Sequence, residues 1–181
     1  MNLWFRLIWL LCSFSFRRRL TPPLDVSELD FRVWPHDLDT SLHMNNGRYW
    51  SLMDLGRTDL MLRSGLWRAV LRHKWTPVVS AAKIRFRREL KLFTAFRLET
   101  RILCWADSWL VMEHRIISQG RKGEITNAVA LVRAGLYDRN AKAFVATQRI
   151  FDELGTMAIS PEPTPEVAAF LAAEEAMKNA A

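Results

Sequence analysis

Cysteine is scarce in this chain: 181 residues contain two, Cys12 and Cys104. That excludes a disulfide scaffold or a multi-cysteine zinc site and fits a reducing compartment. No internal repeat or low-complexity tract is present, which excludes solenoids and arrays. A bilayer-length apolar run is missing too. The stretch 3–16 is ~21 Å long as a helix at ~1.5 Å per residue, short of a ~30 Å hydrocarbon core. Acidic side chains are in deficit, 19 against 26 Lys+Arg, for a formal charge of +7. Half of the residues are hydrophobic, so the chain can fold as one domain with a core that needs no staple.

The charge is unevenly spread. Residues 1–30 carry four basic and three acidic side chains, residues 31–150 carry 21 and 10, and residues 151–181 carry one and six. A basic body with an acidic tail suggests an anionic partner: nucleic acid, a membrane surface or a phosphorylated small molecule. The N-terminal stretch MNLWFRLIWLLCSFSF precedes Arg17, Arg18 and Arg19. On a helical wheel Asn2, Arg6, Ser13 and Arg17 fall near one line, with Leu3, Trp4, Leu7, Ile8, Leu10 and Leu11 around the rest. This predicts a helix lying in a membrane interface, its arginines on lipid phosphates. The alternatives are a spanning anchor and a helix packed on the domain or on a partner. A signal peptide fits less well, because the positive cluster follows the apolar run and no A-x-A site appears.

The expected organisation is a membrane-associating segment over 1–20, a proline-stiffened linker over 21–28, a domain over 29–155, and a Pro-rich linker with a terminal helix over 156–181. Leu29, Phe31 and Val33 alternate with polar residues as in a short strand. The clearest helix is 47–64, where Tyr49, Leu52, Met53, Gly56 and Leu60 share a face. Asn45 or Asn46 is its candidate cap, and Gly65 its stop. Gly56 on that face predicts close approach of another backbone. A short helix is expected over 66–74, followed by strands over 78–87, 93–105, 109–118 and 125–137 joined as hairpins. A further short helix is expected over 145–154, and a terminal helix over 166–178 with Thr164 as cap and Pro165 at its first position. The economical fold is α+β, a curved antiparallel sheet wrapped around one long central helix.

The loop before that helix, Asp37 to Tyr49, combines carboxylates, an imidazole and amides. The first turn of a helix has N–H groups without intrahelical partners and a partial positive charge, which can hold a carbonyl oxygen as it becomes an oxyanion. An upstream Asp can activate water or attack an acyl carbon, with no metal or organic cofactor. The pattern V-x3-D-x-D-x3-H-x-N-N-x2-Y-x4-D-x2-R, from Val33 to Arg57, resembles the hotdog-fold acyl-CoA thioesterases. The similarity is to the 4-hydroxybenzoyl-CoA thioesterase type, and within it to the thioesterase-superfamily-member-6-like proteins, over ~29–140. The resemblance implies a hotdog fold, a homodimer or homotetramer with sites at subunit interfaces, and hydrolysis of acyl-CoA or acyl-carrier-protein thioesters. By position Asp39 matches the catalytic Asp, as nucleophile or general base. The amides of Asn46 and Gly47 match the oxyanion site, and His43 the residue that orients substrate or water. Leu42 stands where many relatives have Gly.

Each residue also has a plainer job. Asp39 can be a turn residue, Asp37 reads as the structural carboxylate, and Tyr49 as core. Asn45 and Asn46 are most simply helix caps; only one can be, which frees the other to contact substrate or the partner subunit, and Asn45 is the expected substrate contact. His36 and His43 lack further ligands at metal spacing. Asp54 pairs with Arg57 at i,i+3, unless it is buried, when it rivals Asp39. Lys83, Arg85 and Arg87 alternate along one strand, with Arg88, Lys91, Arg97 and Arg101 nearby. Arg85, Arg87 and Arg88 are the expected contacts for coenzyme A phosphates, against the alternatives of a solvated face, membrane phosphates or nucleic acid, for which no motif exists. Leu42 and the hydrophobic N-terminus motivate a second reading, a non-catalytic acyl-lipid-binding or membrane-associated protein. Either protein is expected in the cytoplasm or on the cytoplasmic face of a membrane.

Overall fold

The computed structural model describes residues 3–180. Its centre is helix α2, Asn46–Ser64, which starts on an Asn45 cap and stops at Gly65 in the left-handed conformation (φ 86°). Five long strands wrap it: β1 Ser27–Arg32, β2 Trp75–Phe86, β3 Ala95–Trp105, β4 Leu110–Gly120 and β5 Gly123–Asp138. They pair antiparallel in the order β1-β3-β4-β5-β2, and a two-residue β6, Ala143–Phe144, adds to β5. The period-two pattern thus places the sheet correctly, with β1 starting inside the expected linker.

Curvature comes from register shifts, each with one extra residue on one strand: Ser80 in β2, Leu103 in β3 and Asn127 in β5. Such bulges bend and twist a sheet, here around α2. Leu52, Met53 and Leu55 of α2 pack with Leu29, Leu98, Ile116 and Ala128 in the main core. Gly56 is where helix and sheet come closest. A Cβ there would lie 2.2 Å from Thr100 Oγ1 and 3.1 Å from Leu98, so the close neighbours are side chains of β3, not a backbone.

Three shorter helices complete the domain: α3 Leu66–His73, α4 Thr147–Leu154, and α5 Pro165–Asn179 with Pro165 in its first turn. The acidic tail is part of the fold: Val167 and Phe170 of α5 are buried against Cys104 and Val111, and Glu174 pairs with Arg133.

The N-terminal helix α1, Trp4–Ser13, also packs on the domain, with Leu10 1% exposed inside the main core. This corrects the placement of the arginine stripe. Arg6 pairs with buried Asp37 at 2.6 Å and Arg17 with buried Asp59 at 2.8 Å, so these cations face carboxylates of the domain. Asn2, expected on the same line, lies outside the described residues. The opposite face of α1 is bare and apolar: Trp4 is 65% and Phe5 88% exposed, with Ile8, Trp9 and Leu11 beside them. Among the described residues no helix is long and apolar enough to cross a membrane.

Candidate active site

Asp37 anchors the loop that precedes α2. Its carboxylate is fully buried, and it accepts the Trp34 N–H at 2.9 Å as well as two guanidinium bonds from Arg6. Its carbonyl accepts the Asn45 N–H at 2.9 Å. Between these points the chain makes a closed turn: the Asp39 N–H donates to the His43 carbonyl at 2.9 Å, and the Leu42 N–H to the Asp39 carbonyl at 3.1 Å. Leu42 has φ 60°, a conformation in which a Cβ is unfavourable and glycine is at ease, and its side chain is 71% exposed.

The turn presents Asp39 at its start. One carboxylate oxygen, Oδ1, accepts the Ser41 N–H at 2.9 Å, and Oδ2 accepts nothing among the described residues. His43 points Nε2 toward Glu89 Oε2 at 3.3 Å. The cap is settled in favour of Asn45, whose Oδ1 accepts the Gly47 N–H at 2.8 Å. Two expectations change as a result: the Asn45 side chain and the Gly47 amide are engaged with each other. Asn46, at the first helical position, has an amide with no carbonyl of its own helix to meet.

A cavity of about 340 Å³ collects these groups. Asp39, Ser41 and His43 line it from the loop, Asn46 and Tyr49 from the helix, and Phe86, Arg87, Arg88 and Glu89 from the end of β2. Tyr49 forms the floor, edge-on to Phe86 with ring centroids 5.0 Å apart. Burial pushes its phenol up to about 12, so it remains a neutral wall. Asn127, the extra residue of β5, accepts the N–H groups of Arg87 (2.8 Å) and Arg88 (3.1 Å) on its carbonyl. This bulge residue therefore holds the two arginines at the rim. The available signal is an asparagine, a poor strand former, directly before the apolar run Ala128–Val132.

Arg85 is not among the lining residues. Ile84 packs on the main core and Phe86 on Tyr49, so alternation carries Lys83 and Arg85 to the opposite face of the sheet. Among the nearby cations, Arg97 pairs with Glu99 and Glu124, Arg101 with Glu113, and Lys91 with Glu89. The broad basic surface thus reduces to Lys83 and Arg85 on one face and Arg87 and Arg88 at the cavity.

Asp54 is an exposed residue paired with Arg57, which removes the buried rival to Asp39. Arg57 also lies 3.1 Å from Nε2 of His114, whose Nδ1 meets the Thr100 hydroxyl at 2.9 Å. His114 is wholly buried in β4, and desolvation together with the Arg57 charge pushes it down to about 3. Arg57 donates to Nε2, so the neutral ring carries its proton on Nδ1, toward Thr100. Asp54 and Arg57 edge a second, apolar cavity of about 340 Å³ between the later turns of α2 and the sheet, with Met61, Val78, Ile102 and Met112 in its wall.

Residues 33–172 match the family model of the thioesterase-like superfamily. Protein THEM6 of Xenopus laevis is 39% identical over 101 residues, 56% of this chain and 48% of that protein, so the chain spans about half the length of this relative. The crystal structure of YbaW, a probable thioesterase from Escherichia coli, superposes with a TM-score of 0.65 at 20% identity, covering 71% of this chain and 96% of that one. A mutant 4-hydroxybenzoyl CoA thioesterase complexed with 4-hydroxybenzoyl CoA superposes with a TM-score of 0.65 at 14% identity, covering 72% and 99%. With the helix in its curved antiparallel sheet, these matches define the hotdog fold. The chain belongs to the thioesterase-like superfamily.

Proposed function

We propose that the protein hydrolyses acyl-CoA thioesters to the free acid and coenzyme A in the cavity at the start of α2. The observation that carries this reading is the convergence there of a carboxylate, a helix-start amide and two arginines, with one carboxylate oxygen and both guanidinium groups left without an ionic partner among the described residues. Asp39 either activates water or attacks the acyl carbon itself. The Asn46 amide, backed by the helix dipole, receives the oxyanion. A well-placed donor of this kind is worth ~10²–10³ in rate. The C–S bond then breaks toward the coenzyme A thiolate, a good leaving group that needs no strong general acid; where Asp39 has attacked the carbon itself, water then hydrolyses the resulting acyl-aspartate anhydride, freeing the acid and restoring the carboxylate. Arg87 and Arg88 bind phosphates of the coenzyme at the rim. The Gly47 amide joins the oxyanion site only if the Asn45 cap releases it. His43, held toward Glu89, orients water or substrate from the loop side.

The CoA ester held by the solved 4-hydroxybenzoyl CoA thioesterase supports a CoA-type substrate. Strand β2 supports assembly as a homo-oligomer: it is 12 residues long and its outer edge is unpaired among the described residues, a template for a second copy. The bare face of α1 supports attachment to a membrane surface through tryptophan and phenylalanine, with Arg19 exposed nearby for headgroups.

Release of free thiol from a panel of acyl-CoAs tests the reaction. Turnover that disappears in Asp39→Asn is the expected result. Tight acyl-CoA binding without hydrolysis at any chain length favours the non-catalytic reading instead.

A further inference from the structure

We propose that Arg6, on the N-terminal helix and outside the span matched by the family model, is a positioning residue for the Asp39 loop. The inference rests on the reaction proposed above. Arg6 reaches the loop through Asp37, with Nη2 at 2.6 Å from Oδ2 and Nη1 at 3.1 Å from Oδ1. The same Nη2 donates to the Arg32 carbonyl at 2.9 Å, at the end of β1. A planar guanidinium reaches the two carboxylate oxygens and the carbonyl from two nitrogens in a fixed plane, whereas an ammonium offers its donors from a single point on a flexible stem.

Asp37 is the hinge point of the site. Its side chain is fixed by α1, and its carbonyl holds the Asn45 N–H that sets the start of α2. Asp39 lies two residues further along, and its turn closes back through His43 and the pairing of Leu38 with Met44. A displacement of Asp37 therefore moves the carboxylate and the oxyanion donor relative to each other. The other side-chain nitrogens near Asp37, Arg48 Nε and His36 Nε2, stand at 3.5 Å and cannot replace a two-point clamp.

The test is Arg6→Lys in the full chain, which keeps the charge and loses the fork, with Arg17→Lys as the matched control. Arg17 forms a comparable ion pair with Asp59 in the same segment, away from the loop. For Arg6→Lys we expect kcat to fall on the order of 10–10²-fold with KM nearly unchanged, the cost of misplacing reacting groups by about 1 Å. Amide exchange over residues 37–47 is expected to quicken severalfold. Arg17→Lys keeps parental kcat and parental exchange in that segment. If Arg6→Lys does not fold, Arg6→Met with Asp37→Asn removes both charges, leaves no unpaired buried carboxylate, and is read in the same way. Parental exchange over 37–47 in the folded Arg6 variants overturns the inference, as does parental kcat. Asp39→Asn keeps the two claims apart. If it retains full turnover, the reaction at Asp39 falls and the exchange measurement alone decides the role of Arg6. If it is inactive while the Arg6 variants behave like the parent, only the inference about Arg6 falls.

Discussion

His114 makes the fold sensitive to mild acid, by an amount that can be worked out from its surroundings. The ring is enclosed by β3, β4 and α2, meets Thr100 on one side and the Arg57 guanidinium on the other, and has no carboxylate in contact among the described residues. It stays neutral in the folded state down to about pH 3, while the unfolded chain protonates it at its ordinary 6.5. The folded pKa lies below the unfolded one, so stability is intact above pH 6.5 and is lost as pH falls from there toward 3. One proton of difference costs about 1.4 kcal/mol per pH unit, so lowering the pH from ~7.5 to ~5.0 removes about 2 kcal/mol. Carboxylates held low by hydrogen bonds, such as Asp25 and Asp138, add their own loss at lower pH. They do so equally in a variant that lacks only the imidazole. The assay is urea unfolding at both pH values for the parent and for His114→Gln, whose amide oxygen can still accept from Arg57. The parent should lose about 2 kcal/mol more than the variant over that interval. Equal losses in the two proteins refute the assignment of the acid sensitivity to His114.

Leu42→Gly relieves a left-handed residue and an exposed apolar side chain together; thermal unfolding should show a gain of about 1 kcal/mol, with the loop otherwise unchanged. Replacing both Arg87 and Arg88 by Ala should raise KM for acyl-CoA about tenfold at low salt, with kcat preserved and the effect shrinking at high ionic strength. Phe5→Glu with Trp9→Glu should abolish sedimentation with anionic lipid vesicles without lowering the unfolding temperature, since both side chains are exposed.

Much of the frame was legible because it follows from local rules. The apolar spacing from Tyr49 to Leu60, an asparagine before it and Gly65 after it specify α2 within one residue, and the period-two stretches specify β2 to β5. What could not be read depends on what a side chain meets. A helical wheel finds the stripe of Arg6 and Arg17, but a buried carboxylate and a lipid phosphate are both anions, and Asp37 and Asp59 prove to be the partners. Two adjacent asparagines are equally good caps until the backbone geometry selects Asn45. Alternation puts Arg85 and Arg87 on one face only while the strand lasts, and β2 ends at Phe86, where Asn127 turns the following arginines to the cavity. The acidic tail conceals Val167 and Phe170, an i,i+3 pair that docks α5 on the sheet. His114 carries no sequence signal, because a single histidine between Glu113 and Arg115 reads as one more polar strand residue until its burial is seen.

Asp39, in the loop before α2, is proposed to drive hydrolysis of a thioester. Free-thiol release from acyl-CoAs of graded chain length, measured for the parent and for folded Asp39→Asn at matched concentration, tests it directly. Turnover by the parent and a fall in kcat of at least ~10²-fold in the variant are the predicted results. Parental turnover in Asp39→Asn, or no hydrolysis of any acyl-CoA by the parent, would contradict it.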